Sequence, residues 1–190
     1  MLLGKPLLSA LDRMGCGGVI LDASGDVLDL NPVAEYFLRA TSRLPSDQPL
    51  PPEAARSALK ALLRAGDTRF TVEGDTWVVV ERQEQRPLVL HSLPLSNGTD
   101  PGPHTMVILI DLTQTPQPSS ATLQKIFGLT AAEARLAVLI ARGETLDQVA
   151  QACKVSMATA RTQLSGVFQK TRTHRQAELV ALLARVSILP

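Results

Sequence analysis

The chain has 190 residues, 45% of them hydrophobic and 19% charged, with 19 Lys+Arg against 18 Asp+Glu, which suits one large domain or two small ones of ordinary globular composition. The longest aliphatic run, Met106–Ile110, is far shorter than the ~20 residues of a membrane span, so no membrane role is expected. Two cysteines, Cys16 and Cys153, cannot build the disulfide framework of a secreted mini-domain, and six aromatic residues are too few for a surface that stacks single-stranded nucleic acid.

Met1–Leu11 is leucine-rich, but Lys5-Pro6 interrupts it and Asp12-Arg13 follows. A secretory signal needs an unbroken apolar stretch, so export is not expected and a cytoplasmic setting is. Leu7, Leu8, Leu11 and Met14 fall at helical spacing and predict a short amphipathic lead-in helix. Gly18–Asp22 and Val27–Leu30 read as strands around a Ser24-Gly25-Asp26 turn. Asn31 then serves as N-cap, with Pro32 at the first helical position, for a helix over Val33–Arg39 that buries Ala34, Phe37 and Leu38.

A loop at Pro45–Pro52 precedes a second helix, Glu53–Ala65, with Ala55, Leu59, Leu62 and Leu63 inward and Arg56, Lys60 and Arg64 outward. From Thr68 the period becomes two, and Phe70–Glu73, Thr76–Arg82, Pro87–Leu95 and Thr105–Leu112 read as strands. Gly74-Asp75 is a tight turn and Asn97–Pro103 a polar loop. Residues 1–112 therefore form an α+β domain, an antiparallel sheet with helices. Thr113–Ser120 is polar and proline-containing, the composition of a linker, and residues 121–190 form an all-α domain.

Charge divides along the same line. Residues 1–120 carry a net −4 and residues 121–190 a net +5, and no acidic residue occurs between Asp147 and Glu178. Only the C-terminal part is suited to a polyanion. Its helix starts are marked by three capping boxes, Thr130…Glu133, Thr145…Gln148 and Thr173…Gln176, with Ser156 as a further N-cap. They predict four helices at about 131–142, 146–153, 157–171 and 174–185.

The three-residue connection Cys153–Val155, with small Ala150 at the crossing, is a helix-turn-helix signature. On the helix that follows, Ala160, Leu164, Val167 and Phe168 form the buried stripe. Ala158, Thr162, Ser165 and Gln169 lie opposite, with Arg161 and Arg172 on one flank. Short polar side chains between cations suit a major groove, whereas a merely solvated helix would carry Glu or Asp there too.

Leu129-Thr-Ala-Ala-Glu133, Gly143-Glu-Thr-Leu-Asp-Gln-Val-Ala150, Val155-Ser-Met-Ala-Thr-Ala-Arg-Thr-Gln-Leu164 and Lys170-Thr-Arg-Thr-His-Arg-Gln-Ala-Glu-Leu179 closely resemble the LuxR-type helix-turn-helix, over about a third of the chain. The resemblance implies that Arg161, Thr162 and Ser165 face bases and that Thr159 and Lys170 meet phosphates, within a DNA-binding set completed by Lys154, Ser156, Gln169 and Arg172. It also implies that Leu179, Leu182, Leu183 and Val186 pack the last helix on its own domain or pair it with a second copy. The sequence departs from the family at several positions. Lys154 and Arg172 stand where glycine is usual, Cys153 replaces leucine, Ala160 replaces valine and Gln163 replaces histidine. Gly166 inside the helix costs ~1 kcal/mol against alanine. These departures predict modest stability.

Gly17-Gly-Val-Ile-Leu-Asp-Ala-Ser-Gly-Asp-Val-Leu-Asp-Leu-Asn-Pro-Val-Ala-Glu35 is similar to the opening of PAS sensor domains. A phosphoacceptor receiver would need alternating strands and helices; the successive strands after Thr68 do not supply them, and Asp22, Asp26 and Asp29 read as turn and strand-surface residues. His91 and His104 are the histidines available to a haem in this half. Their positions favour packing, and no cofactor is expected.

Together these readings predict a sequence-specific transcription regulator that binds double-stranded DNA at an inverted repeat as a homodimer, with RNA polymerase as a candidate further partner. The alternative is a protein-interaction module whose degenerate helix-turn-helix never reads DNA. No enzyme is expected: the chain has no Gly-rich phosphate loop, no clustered ligand set and no nucleophile with a base partner.

Overall fold

The computed structural model describes residues 4–42, 49–73, 75–95, 104–113 and 117–187. The chain divides into two compact units, Met1–Gln114 and Thr115–Pro190. Residues 45–48 of the expected Pro45–Pro52 loop, Gly74 of the tight turn, the Asn97–Pro103 loop and residues 114–116 of the expected linker lie outside the described residues.

The first unit runs α1 (Lys5–Arg13), β1 (Gly17–Leu21), β2 (Val27–Leu30), α2 (Pro32–Ser42), α3 (Pro52–Ala65), β3 (Thr68–Val72), β4 (Asp75–Arg82), β5 (Gln85–Leu95) and β6 (His104–Asp111). Its six strands form one antiparallel sheet in the order β2-β1-β6-β5-β4-β3. Val19, Val78, Val80, Leu88, Leu90, Val107 and Leu109 face α2 and α3, which contribute Ala34, Phe37, Leu38, Ala55, Ala58 and Leu59. Gly17 lets α2 approach β1: a Cβ there would stand 3.0 Å from Ala34 Cα.

Asn31 joins the elements of this unit. It is 3% exposed. Its Oδ1 accepts the backbone N–H of Ala34, the helix-capping bond, and also that of Gly18 on β1, each at 2.9 Å. Its Nδ2 donates to the carbonyls of Leu8 and Cys16. One amide side chain therefore ties α1, β1 and α2 together with no polar atom left over.

Helix α1 covers one end of the other sheet face, packing Leu8 and Leu11 on Ile20 and Met106. The expected lead-in stripe is buried at those two leucines alone, because Leu7 and Met14 are exposed. Beyond α1, that face carries a stack of Phe70, Trp77 and His91. The His91 ring lies 3.9 Å from that of Trp77, and its Nε2 is 3.6 Å from Asp75 Oδ2. Asp22 caps its own turn, accepting from the backbones of Ser24 and Asp26, while Asp26 pairs with Arg56. Among the described residues no three His, Cys, Asp or Glu side chains gather as a metal site, and no helix is long and apolar enough to cross a membrane.

The second unit contains α4 (Ser120–Phe127), α5 (Ala131–Ala141), α6 (Leu146–Cys153), α7 (Met157–Thr171) and α8 (Gln176–Val186). The expectation of four helices is corrected to five. Ser120, placed in the linker by composition, opens α4, and the Ser119 hydroxyl caps it by accepting from the Thr122 backbone at 2.9 Å. That cap has a threonine where a capping box has Glu or Gln, so the pattern did not announce it. Two of the three predicted capping boxes form, at Thr130/Glu133 and Thr145/Gln148. The third does not. Helix α8 starts after Arg175, two residues beyond Thr173, with no side-chain cap, and the Thr173 hydroxyl meets that of Thr171. Glu178 takes up the His174 N–H and the Arg175 side chain instead.

Candidate nucleic-acid interface

Helices α6 and α7 are joined through Lys154, Val155 and Ser156. Lys154 ends α6 in the left-handed region, at φ 55° and ψ 45°, and Ser156 caps α7 by accepting from the Thr159 backbone at 3.1 Å. Ala150, expected at the crossing, is buried. Ala160, Val167 and Thr171 are the buried residues of α7, with Leu164 and Phe168 packed partly beside them. Cys153 also packs against this core, in the place expected for a larger leucine.

The opposite side of α7 exposes Ala158, Arg161, Thr162, Ser165, Gln169 and Arg172, with Thr159 and Lys170 exposed on the other flank. Thr162 turns its hydroxyl back to the Ala158 carbonyl at 3.0 Å. Ser156 and Thr159 share a hydroxyl contact at 2.9 Å. Lys154, Arg161 and Arg172 make no ion pair with any described residue, so their charges face solvent unneutralised.

Lys170 differs from them. Its Nζ lies 2.6 Å from Glu133 Oε2, and Glu133 also accepts the Thr130 backbone N–H at 2.7 Å as part of the α5 capping box. Burial pushes the Glu133 carboxyl up, but the hydrogen bonds from Lys170 and Thr130 outweigh it and hold the carboxyl below its ordinary value. Gly166 makes room for this contact, since a Cβ there would stand 2.6 Å from Glu133 Oε1. Sequence reasoning saw Glu133 only as a capping residue. Its reach to α7 joins residues 37 positions apart, and no local pattern reports that.

Arg172 repeats the conformation of Lys154 at the other end of α7, with φ 55° and ψ 38°. A left-handed L-residue costs about 1–2 kcal/mol that glycine avoids. Lys154→Gly and Arg172→Gly are therefore each expected to stabilise the second unit, by about 1 kcal/mol or roughly 4–8 °C in Tm for a domain of this size. If these cations meet a polyanion, the same variants bind it more weakly. Thermal melts and duplex titrations on one preparation measure both signs.

The resemblance implies two packings for the apolar residues of α8, on their own domain or against a second copy. Leu179 and Leu183 are fully buried and Val186 is 6% exposed, all three within the unit's own core, and Leu182 is only partly exposed. Leu179, Leu183 and Val186 thus take the first of these packings.

No protein-family model matches the sequence, and no curated protein matches it. Among solved structures, the chain is similar to the phage VqmA–DPO complex, at 16% identity and a TM-score of 0.36, covering 98% of this chain and 88% of that one. A Vibrio cholerae VqmA dimer is similar at 14% identity and a TM-score of 0.32, with 98% and 89% of the two chains covered. The Rhodobacter sphaeroides LOV protein is similar at 17% identity and a TM-score of 0.29, with 95% and 91% covered.

Proposed function

We propose that the chain is a cytoplasmic transcription regulator that binds double-stranded DNA in a sequence-specific way. In this reading the second unit is a LuxR-type helix-turn-helix domain and the first a PAS-like sensory or dimerisation domain. The observation that carries it is the outward face of α7. That face has no acid and offers polar side chains at Thr162, Ser165 and Gln169, flanked by Lys154, Arg161 and Arg172, cations with no ion-pair partner among the described residues. Cations without internal partners are those whose contact with phosphate releases counterions, which makes affinity fall steeply with salt. Arg161, with Thr162 and Ser165 beside it, is assigned to base edges; Ser156, Thr159, Lys154 and Arg172 are assigned to the backbone. Leu179 and Leu183 of α8 lie in the core of their own unit, so pairing on an inverted repeat is assigned to the first unit, whose sheet leaves Phe70 and Val72 exposed.

The test is selection from a random duplex library followed by titration of the enriched sequence. Arg161→Ala is expected to cost ~1–3 kcal/mol at that sequence and little on arbitrary duplex, as loss of a bidentate base contact does. An unchanged isotherm would remove Arg161 from the base-reading role. Absence of any salt-dependent duplex binding by the folded protein would favour the protein-interaction module instead.

A further inference from the structure

The basic side of α7 holds two kinds of cation. Lys154, Arg161 and Arg172 have no ion-pair partner among the described residues, whereas Lys170 is held by a carboxylate from another helix. Glu133 is only 12% exposed at its side chain, against 35% for Lys170, so the pair sits half inside the unit. Its carboxylate is fixed from two further sides, by the Thr130 N–H and by the gap that Gly166 leaves on α7. Gly166 and Lys170 are one helical turn apart, so Glu133 lies along the α7 surface directly below the ammonium group. For a phosphate to take Lys170, it would have to strip the lysine away and leave a largely buried carboxylate unpaired, which is the costly outcome for such a pair.

We infer that Glu133 withholds Lys170 from nucleic acid, so that this lysine positions α7 against α5 and is not a phosphate ligand. The inference rests on the DNA-binding reading for its biological meaning, and it revises one residue of that reading. Lys170 is an internal counter-ion, and Glu133 sets how many α7 charges a polyanion meets.

A double-mutant cycle on the full chain tests this, using arbitrary-sequence duplex as the probe and the slope of log affinity against log salt as the readout. Lys170→Met alone is expected to leave the slope unchanged. Glu133→Gln keeps a capping oxygen for the Thr130 N–H but frees the lysine, and it is expected to steepen the slope by about 0.9, one phosphate's worth. Adding Lys170→Met to Glu133→Gln returns the slope to that of the parent protein. Glu144→Gln, which removes the same charge from a residue outside the pair, is expected to change nothing. A flatter slope for Lys170→Met alone, or an unchanged slope for Glu133→Gln, overturns the inference. Elution of the same variants from heparin repeats the cycle without DNA. A chain that ignores duplex, yet whose Glu133→Gln form alone elutes at higher salt, loses the DNA-binding reading and keeps this one. Equal elution of all variants overturns it.

Discussion

Asn31→Ala is expected to destabilise the first unit by about 3–5 kcal/mol, because it removes one helix cap and leaves several buried backbone groups without partners. Two donors, the N–H groups of Gly18 and Ala34, lose their acceptor, and two carbonyls, those of Leu8 and Cys16, lose their donor. Trp77, the one tryptophan of the chain, lies on β4 and reports the unfolding of this unit alone. Urea titration followed by its fluorescence should show an earlier midpoint, with the helical signal of the second unit retained. Asn31→Asp keeps the acceptor and loses the donors, so it should fall between the two. A midpoint within ~0.5 kcal/mol of the parent for the alanine variant would show that the four bonds are not jointly holding α1, β1 and α2.

Leu183→Ala is expected to cost the second unit about 2–5 kcal/mol, the usual price of a cavity at a fully buried leucine. The measurement is far-UV circular dichroism on heating, read beside the Trp77 transition, which should not move. This variant separates the two packings expected of α8, on its own domain or against a second copy. A pairing residue would shift the concentration dependence of assembly and leave the melting of the unit in place. An interior residue does the reverse. If sedimentation shows dissociation while the melt is unchanged, the interior placement of Leu183 is wrong.

Local chemistry made much of this structure legible in the sequence. The strands, the Asn31 cap, the Thr130 and Thr145 capping boxes and the buried stripe of α7 all rest on neighbours within a few residues, where spacing carries the information. The resemblance puts a glycine where Lys154 stands, and Lys154 takes the left-handed conformation that glycine favours. Three features escaped. Helix α4 begins with a Ser/Thr cap inside a proline-containing stretch, so composition assigned its first residue to the linker. The Thr173 box does not form because α8 begins with Arg175 as its N-cap, two residues later, while the Thr173 hydroxyl meets that of Thr171. Periodicity made α8 apolar on one side but could not say whether that side faced its own core or another chain. The same limit hid the second function of Glu133: a capping box is read along the chain, and an ion pair is read across it.

The strand order of the first unit also governs how the chain acquires its structure. The inner strands β1 and β6 lie side by side, with Gly17 opposite Leu109, so the sheet is complete only after most of the unit has been made. Pairings between such distant segments pay their loop-closure entropy before any contact repays it, and folding slows accordingly. The second unit is built from short helices with near neighbours, a topology that assembles orders of magnitude faster. During synthesis β1 leaves the ribosome with β2 close behind it, long before β6, its partner on the other side, exists. Until β6 emerges, the edge of β1 and the unfilled apolar face beside it are open to other chains, and the first unit sets the time over which the whole protein can misassociate.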